Sequence, residues 1–150
     1  MLDAVYLAIC KLQSARYERK AILILSDGGD NASRYKLREI KSVAQESDVQ
    51  IYAIGLFETF LFSTIEEKLG KGWLGEITDV TGGRTITVDN RVKVPEAAAA
   101  ISREMRNQYV LGYRPTGTAT TKRRKIRVRL ASSEDRSLRA YYRKGYQVMH

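Results

Sequence analysis

Apolar and polar positions follow two different rhythms along the first 108 residues of this chain. Apolar side chains at helical spacing predict a helix over residues 2–15. Unbroken apolar runs over residues 21–25 and 49–56 are typical of strands that are buried on both faces of a parallel sheet. The amino-terminal part of the chain is therefore predicted to alternate between helices and buried strands.

This alternation continues to residue 108. Ser33 is predicted to cap a second helix, and Gly70 and Gly72 are predicted to break a third. The remaining predicted elements are a helix over 73–80 that ends at Gly82-Gly83, a strand over 84–88 and a helix over 95–108. The order α-β-α-β-α-β-α indicates an α/β fold with a doubly wound, Rossmann-like parallel sheet.

The pattern changes after residue 108. Residues 125–130 alternate strictly between basic and apolar side chains, which is typical of an antiparallel strand with one solvated face. Further strands are predicted over 109–113, 138–142 and 145–148. We therefore divide the chain into an α/β unit, residues 1–108, and an antiparallel β extension, residues 109–150.

The net charge of +9 supports this division. Residues 1–113 hold 15 Lys and Arg against 15 Asp and Glu, whereas residues 114–150 hold 11 against 2. A basic segment of this kind could bind nucleic acid, with Tyr141, Tyr142 and Tyr146 as stacking platforms. The alternation explains the charges without any ligand, so we favour the solvated face of a sheet and consider nucleic acid an unlikely partner.

The first buried strand ends in the polar sequence SDGGDN, residues 26–31. Ligands of open α/β sheets bind at the carboxyl ends of the strands. Hard oxygen ligands such as those of Asp27 and Asp30 suit Mg²⁺, Mn²⁺ or Ca²⁺. Asp27 is the candidate metal ligand, and its loop neighbours are Ser26, Gly28, Asp30 and Asn31. For Asp30, together with Asn31, we favour a role in a turn or a helix start, because Asx side chains bond nearby backbone amides.

Several blocks of the sequence resemble the von Willebrand factor type A domain, and more closely the von Willebrand factor type A-related proteins of acidobacteria. These blocks are LDAVYLA (2–8), SDGGDNASRY (26–35), VQIYAIG (49–55), NQYVLGYRP (107–115) and RKGY (143–146). The resemblance implies a protein-binding module with a metal-ion-dependent adhesion site, at which a ligand carboxylate completes the coordination of the metal. Relatives of full length are typically exported.

The resemblance also implies that most of this metal site is missing. The family site has three loops, of which only the third, with its Asp, is matched here, by Asp27. No Asp-x-Ser-x-Ser sequence occurs in the chain, and the second-loop Thr of the family would lie before Met1. The chain is thus similar to the carboxyl-terminal half of the domain plus a β-rich extension. We expect Mg²⁺ or Mn²⁺ to bind weakly, and a non-functional truncated fragment is an alternative.

Two common catalytic motifs are lacking in the sequence, and acid/base catalysis by Asp27, Asp30 and Glu58 would require their carboxylates to converge. It contains neither a phosphate-binding loop nor a Gly-x-Ser-x-Gly elbow, and its single histidine is His150. We therefore predict that the chain is not an enzyme. No apolar run reaches the roughly 20 residues of a membrane helix, and we expect no signal peptide at the amino terminus. The compartment stays unknown.

The resemblance has one structural consequence for the strand over residues 21–25. The family's first strand would pair with it, and this strand is absent here. An apolar strand without a neighbour on one side is a template for pairing with another chain. We therefore expect self-association through residues 21–25, or pairing with another polypeptide.

Overall fold

The computed structural model of the chain describes residues 1–30, 32–57, 65–115, 123–131 and 138–147. A short 3₁₀ turn (Arg91–Lys93) precedes the last helix. In chain order, the helices and strands within these ranges are α1 (Leu2–Gln13), β1 (Lys20–Ser26), α2 (Leu37–Glu46), β2 (Val49–Leu56), α3 (Ile65–Thr81), β3 (Thr85–Val88), α4 (Val94–Arg106), β4 (Arg123–Lys125) and β5 (Gly145–Gln147).

The described strands form two separate sheets. β1, β2 and β3 are parallel and lie in that order, with Leu23 beside Tyr52 and Leu25 beside Ile54. β4 and β5 pair antiparallel in a smaller sheet. The predicted α/β class, with a parallel sheet and a carboxyl-terminal antiparallel sheet, is therefore confirmed at this level.

Successive side chains of a strand point to opposite faces, so the apolar strands of the parallel sheet have two apolar faces. Helices cover both of these faces. Helices α1, α2 and α3 pack on one face, where Ile9, Ile40, Ile51 and Ile77 are fully buried. Helix α4 packs on the other face through Ala97 and Ile101, against Tyr52, Ile54 and Val88 of the sheet. The strand β1 thus contributes Ile24 to the first core, while its neighbours in sequence point towards the face of α4.

Helix α3 differs from its prediction, because it runs through Gly70 and Gly72 without a break. Gly70 is buried, and a Cβ atom there would collide with the carbonyl oxygen of Gly28. The glycine therefore permits the close approach of a loop to the helix rather than ending the helix. The end of α3 is as predicted, since Gly82 follows it with φ +82°.

The start of α2 also differs from its prediction. The helix begins at Leu37 with Lys36 as its N-cap, and the carboxylate of Glu39 accepts a hydrogen bond from the Lys36 N–H at 2.7 Å. Ser33 does not cap it. Instead the Ser33 hydroxyl accepts hydrogen bonds from the α-ammonium of Met1 at 3.2 Å and the Asp3 N–H at 3.3 Å. The Ser33 hydroxyl is therefore bound to groups some 30 residues earlier in the chain and not to the first turn of α2.

The carboxyl-terminal segment has less strand than predicted. Residues 109–113 and 138–142 are not strands, and the pairing of β4 with β5 extends only to the bond from Ile126 N–H to Lys144 O at 3.0 Å. The predicted alternation nevertheless persists as burial. Ile126 and Val128 are half-buried, whereas Lys125, Arg127 and Arg129 are exposed.

Two basic residues fasten this segment to the α/β unit. The Arg143 guanidinium donates to the carbonyl oxygens of Gln45 and Ser47 at the end of α2 and contacts Asp48 at 3.2 Å. Lys144 pairs with Asp79 of α3 at 2.5 Å. The cation at Arg143 satisfies carbonyls that a helix end leaves without partners. The division into residues 1–108 and 109–150 stays a prediction.

Candidate functional site

The loop after β1 fixes Asp27 at the carboxyl end of the sheet. The Ser26 hydroxyl accepts a hydrogen bond from the Gly28 N–H at 3.0 Å, and Asp27 Oδ1 accepts one from the Gly29 N–H at 3.1 Å. These two side-chain-to-backbone bonds are of the kind that hold tight turns. The Asp27 side chain itself is exposed, so its carboxylate is held in direction while it faces solvent.

Gly28 anchors this loop to the body of the protein. Its φ of +88° lies in the left-handed region, which favours glycine. It is buried, and a Cβ atom there would lie 2.8 Å from the ring of Phe57, the residue that follows β2. Gly70 of α3 packs against it from the other side. Both glycines are therefore required by packing and conformation, and the loop is clamped between a strand end and a helix.

Asp30 is placed quite differently from Asp27, although only two residues separate them. Its side chain is 2% exposed, and it accepts hydrogen bonds from the α-ammonium of Met1 and the Leu2 N–H, each at 3.1 Å. Burial by itself raises the pKa of the Asp30 carboxyl, but hydrogen bonds from Ser33, Leu2 and the ammonium of Met1 outweigh it, so the pKa is lowered. Asp30 thus serves a helix start, that of α1.

Asp3 makes the reciprocal contact from α1 to the loop before α2. Its carboxylate accepts hydrogen bonds from the Arg34 N–H at 2.9 Å and the Tyr35 N–H at 3.0 Å. These backbone bonds, that of Tyr35 first, lower the pKa of the Asp3 carboxyl. We call the hydrogen bonds of Asp3, Asp30 and Ser33 the α1 clasp. Sequence reasoning missed this role of Asp3, for which an acidic residue in the first turn of a helix was the available signal.

A pair of aromatic rings extends the α1 clasp. Tyr6 of α1 and Tyr35 stack with 4.1 Å between their ring centroids and 23° between their planes. Hydrogen bonding of the phenols of Tyr6 and Tyr35, and then of Tyr6 with Cys10, raises the pKa of Tyr6 to about 12. Stacked aromatic pairs stabilise a contact beyond the area that they bury. The amino-terminal helix is therefore tied to the segment that follows the SDGGD loop.

A second acidic residue, which was not predicted as a site residue, lies at the same edge of the sheet. Asp89 follows β3 as Asp27 follows β1, and its carboxylate pairs with Lys93 at 2.8 Å. The hydrogen bond from Lys93 lowers the pKa of the Asp89 carboxyl. The signal available in the sequence was an acidic residue directly after a predicted strand. Since β2 lies between β1 and β3, Asp27 and Asp89 do not occupy neighbouring strand ends.

The positions of these side chains determine whether the loop after β1 can bind a metal ion. Within the described ranges, no three His, Cys, Asp or Glu side chains come together as a metal site. The Asp30 carboxylate is committed to the start of α1, and the Ser26 hydroxyl to the loop itself. Asn31 lies outside the described residues. Mg²⁺ requires about six oxygens in near-octahedral geometry, so the described residues do not fit a resident divalent ion.

Comparisons with known proteins add little to this geometry. No family model and no curated protein matches the chain. A solved structure, that of an uncharacterized membrane spanning protein from Vibrio fischeri, is similar with a TM-score of 0.48 and 21% sequence identity. The similarity covers 66% of this chain, which spans about half (53%) of that one. In the described part of the present chain, no helix has the length and apolar character needed to cross a membrane.

Proposed function

We propose that this chain is a protein-binding module of the von Willebrand factor A type, with Asp27 as the one acidic residue of an incomplete metal-ion-dependent adhesion site. The observation that carries the proposal is the exposed Asp27 carboxylate on a clamped loop at the carboxyl end of β1. Ligands of open α/β sheets bind at this end of the strands. A rigid, exposed polar group there can contribute to binding without an entropic cost of ordering the loop.

Charge at this edge of the sheet distinguishes Asp27 from Asp89. Lys93 neutralises Asp89, whereas among the described residues no cation forms an ion pair with Asp27. The Asp27 carboxylate is therefore available to a basic group of a binding partner or to a metal ion. In the complete family architecture, the resemblance implies that Mg²⁺ or Mn²⁺ sits there and that a protein ligand binds through a carboxylate. Of the described residues, Asp27 would supply one ligand to that metal ion.

The first experiment measures whether a metal ion binds at Asp27. NMR spectra of the isotope-labelled chain would be recorded during a titration with Mn²⁺, which broadens the amide signals near its binding site. We expect broadening of the Gly28 and Gly29 signals only at concentrations above the roughly 10⁻³ M of the weakest calcium modules. Asp27→Asn should abolish it, and the matched variant Asp89→Asn should preserve it. Equal broadening in Asp27→Asn would remove Asp27 from the proposal.

The second experiment measures binding of protein. Peptides would be selected by display against the wild-type chain and then assayed with both variants. We expect Asp27→Asn to weaken the selected peptides at least about tenfold, which corresponds to about 1.4 kcal/mol, and Asp89→Asn to leave them unchanged. Selected peptides that bind the wild type and both variants with equal affinity would contradict the proposal, because binding would then lie elsewhere on the surface.

A further inference from the structure

The segment that follows α4 exposes three successive apolar side chains. Tyr109 is 93%, Val110 83% and Leu111 76% exposed. Single exposed apolar side chains are ordinary on protein surfaces, whereas contiguous ones mark contacts with another molecule or with a membrane. Residues 109–111, which we call the apolar loop, therefore form a candidate interaction surface.

The apolar loop is anchored on both sides. Before it, the Gln108 side chain donates a hydrogen bond to the Tyr52 hydroxyl of β2 at 3.1 Å. After it, the Tyr113 hydroxyl donates to the Tyr146 hydroxyl of β5 at 2.9 Å, and the two rings pack edge to face. These contacts define where the apolar side chains are presented, so binding would not have to order a free tail.

The apolar loop and the basic segment meet at the amino-terminal edge of the parallel sheet. Gln108 also donates to the side chain of Gln50, the second residue of β2. Arg143 binds the carbonyl oxygen of Ser47, which lies directly before β2. The apolar side chains and the cations are therefore brought to the same end of the α/β unit.

The charge around the apolar loop is positive. Ten Lys and Arg but no Asp or Glu occur in the described residues from 105 onwards, which are 105–115, 123–131 and 138–147. Lys125, Arg127 and Arg129 are exposed, and none of them forms an ion pair with a described residue. The partner that complements this end of the molecule is therefore anionic.

We infer that the apolar loop and the cations beside it bind the surface of a bilayer that contains anionic phospholipid. Tyrosine and aliphatic side chains enter the headgroup region of a bilayer, and its anionic headgroups attract Lys and Arg. A bilayer thus matches both parts of this surface, whereas the phosphates of a nucleic acid would leave Val110 and Leu111 in water. The backbone of the apolar loop is polar, so the contact is peripheral and stays at headgroup depth.

This membrane contact does not depend on the proposed function. The apolar loop lies at the amino-terminal edge of the parallel sheet, whereas Asp27 follows β1 at the carboxyl edge. A chain bound to a bilayer through the apolar loop leaves Asp27 accessible to a protein ligand. Asp27→Asn should therefore leave binding to vesicles unchanged, so that failure of either proposal is recognised separately.

Sedimentation with vesicles tests the inference. We expect the chain to bind vesicles made of equal parts of phosphatidylcholine and phosphatidylserine and to stay in solution with phosphatidylcholine alone. Val110→Asp should weaken binding at least about tenfold, because a carboxylate replaces an inserted apolar side chain. Val92→Asp makes the same change at an equally exposed valine after β3, at the carboxyl edge, and should weaken binding less than about twofold. Equal binding to both vesicles, or equal weakening by the two variants, would overturn the inference.

The cations are tested in the same assay. Arg127→Gln combined with Arg129→Gln should weaken binding at least about tenfold, because two attractions to anionic headgroups are lost. The matched pair Arg38→Gln and Arg91→Gln removes two exposed cations elsewhere and should have a smaller effect. Tighter binding of polyglutamate or of a DNA oligonucleotide than of the acidic vesicles would contradict the inference, since the partner would then be an acidic protein or a nucleic acid.

A fluorophore measures insertion directly. Its background is Cys10→Ser, which removes the exposed native thiol. An environment-sensitive dye attached to Val110→Cys should shift its emission to shorter wavelength when the acidic vesicles are added, and the same dye on Val92→Cys should not. Emission at residue 110 that does not change while the chain sediments with the vesicles would show that the apolar loop stays in water, which overturns the inference.

Discussion

Helices cover the two faces of the parallel sheet to very different degrees. On the closed side, α1, α2 and α3 bury Ile24 together with the core of β2, and the α1 clasp and the contact of Gly28 with Gly70 tighten the packing. On the open side, α4 covers β2 and β3 but leaves Leu23 and Leu25 exposed, beside an edge of β1 that has no strand neighbour among the described residues. We use the terms closed side and open side in this sense.

The difference is visible within β1, whose successive side chains face opposite sides of the sheet. Ile24 contributes to the stability of the single chain, since its burial removes apolar area from water. Leu23 and Leu25 are exposed on the opposite face and therefore contribute less to that stability. Substitutions on the closed side should therefore lower the free energy of unfolding more than substitutions on the open side.

The largest contrast is expected within β1 itself. Ile24→Ala should lower the free energy of unfolding by roughly 2–5 kcal/mol, because it leaves a cavity in the core that β1 shares with the helices of the closed side. Leu23→Ala, one residue away, should lower it by less than about 0.5 kcal/mol, the usual range for surface changes. Urea unfolding at one fixed protein concentration measures both. Similar losses in the two variants would mean that the open side is covered in solution.

A second contrast tests the contact of the SDGGD loop with α3. Gly70→Ala places a methyl group against the Gly28 carbonyl and should cost about 1–3 kcal/mol of unfolding free energy. Gly72→Ala lies in the same helix with open space around it, and should stabilise the protein by roughly 0.5–1 kcal/mol. Thermal unfolding of the two variants gives opposite shifts. A loss in both would show that the helix, rather than the loop contact, governs the effect.

The order of helices and strands in the α/β unit could be predicted from the sequence because apolar periodicity reports burial directly. The break at Gly70 was wrongly predicted, since the glycine meets a loop more than 40 residues earlier in the chain, and such a contact leaves no local trace. The strand over 109–113 was wrongly predicted for a related reason. Tyr109 and Val110 have strand-forming side chains but are 93% and 83% exposed, and the part of the chain that the structure describes holds no strand that pairs with them.

The candidate site shows the same limit on a smaller scale. The sequence locates Asp27 at a strand end, because the buried run stops there. It also favours Asp30 as a turn or helix-start residue, and the structure places Asp30 at a helix start. That this helix is α1 could not be predicted, because the contact joins residues that are remote in sequence. Asp89 was missed because its strand is short and the residue stands alone. Partners that are remote in sequence therefore determine which carboxylate is exposed.

The α1 clasp provides a pH-dependent contrast between the two aspartates of the loop. Asp30→Asn should cost roughly 1–3 kcal/mol at neutral pH, because buried donors lose a charged acceptor, whereas Asp27→Asn should change stability little. The lowered pKa of Asp30 means that the native state binds its proton less readily than the unfolded chain. Its stabilisation is therefore present above the ordinary value of 3.8 and is lost as pH falls through the lowered pKa.

Urea unfolding as a function of pH measures this contribution. The wild type and Asp27→Asn should lose stability together below that range, and Asp30→Asn should show a flatter decline, with the remainder due to Asp3 and other carboxyls. Parallel curves for all three proteins would contradict a clasp built on the ionised Asp30.

The smallest effect is expected at Tyr6, at alkaline pH. Its pKa of about 12 exceeds the ordinary value of 10.0, so the folded chain holds the phenol proton over a range in which the unfolded chain releases it. Stability from this group is complete below pH 10.0 and is lost as pH rises through the folded pKa. Tyr6→Phe should remove that slope while it retains the ring stacked on Tyr35. A Tyr17→Phe variant, whose ring is exposed, is the matched control. Because Tyr6 lies on the helix that closes one side of the sheet, an unchanged slope in Tyr6→Phe would show that its hydrogen bond to Tyr35 does not persist in solution.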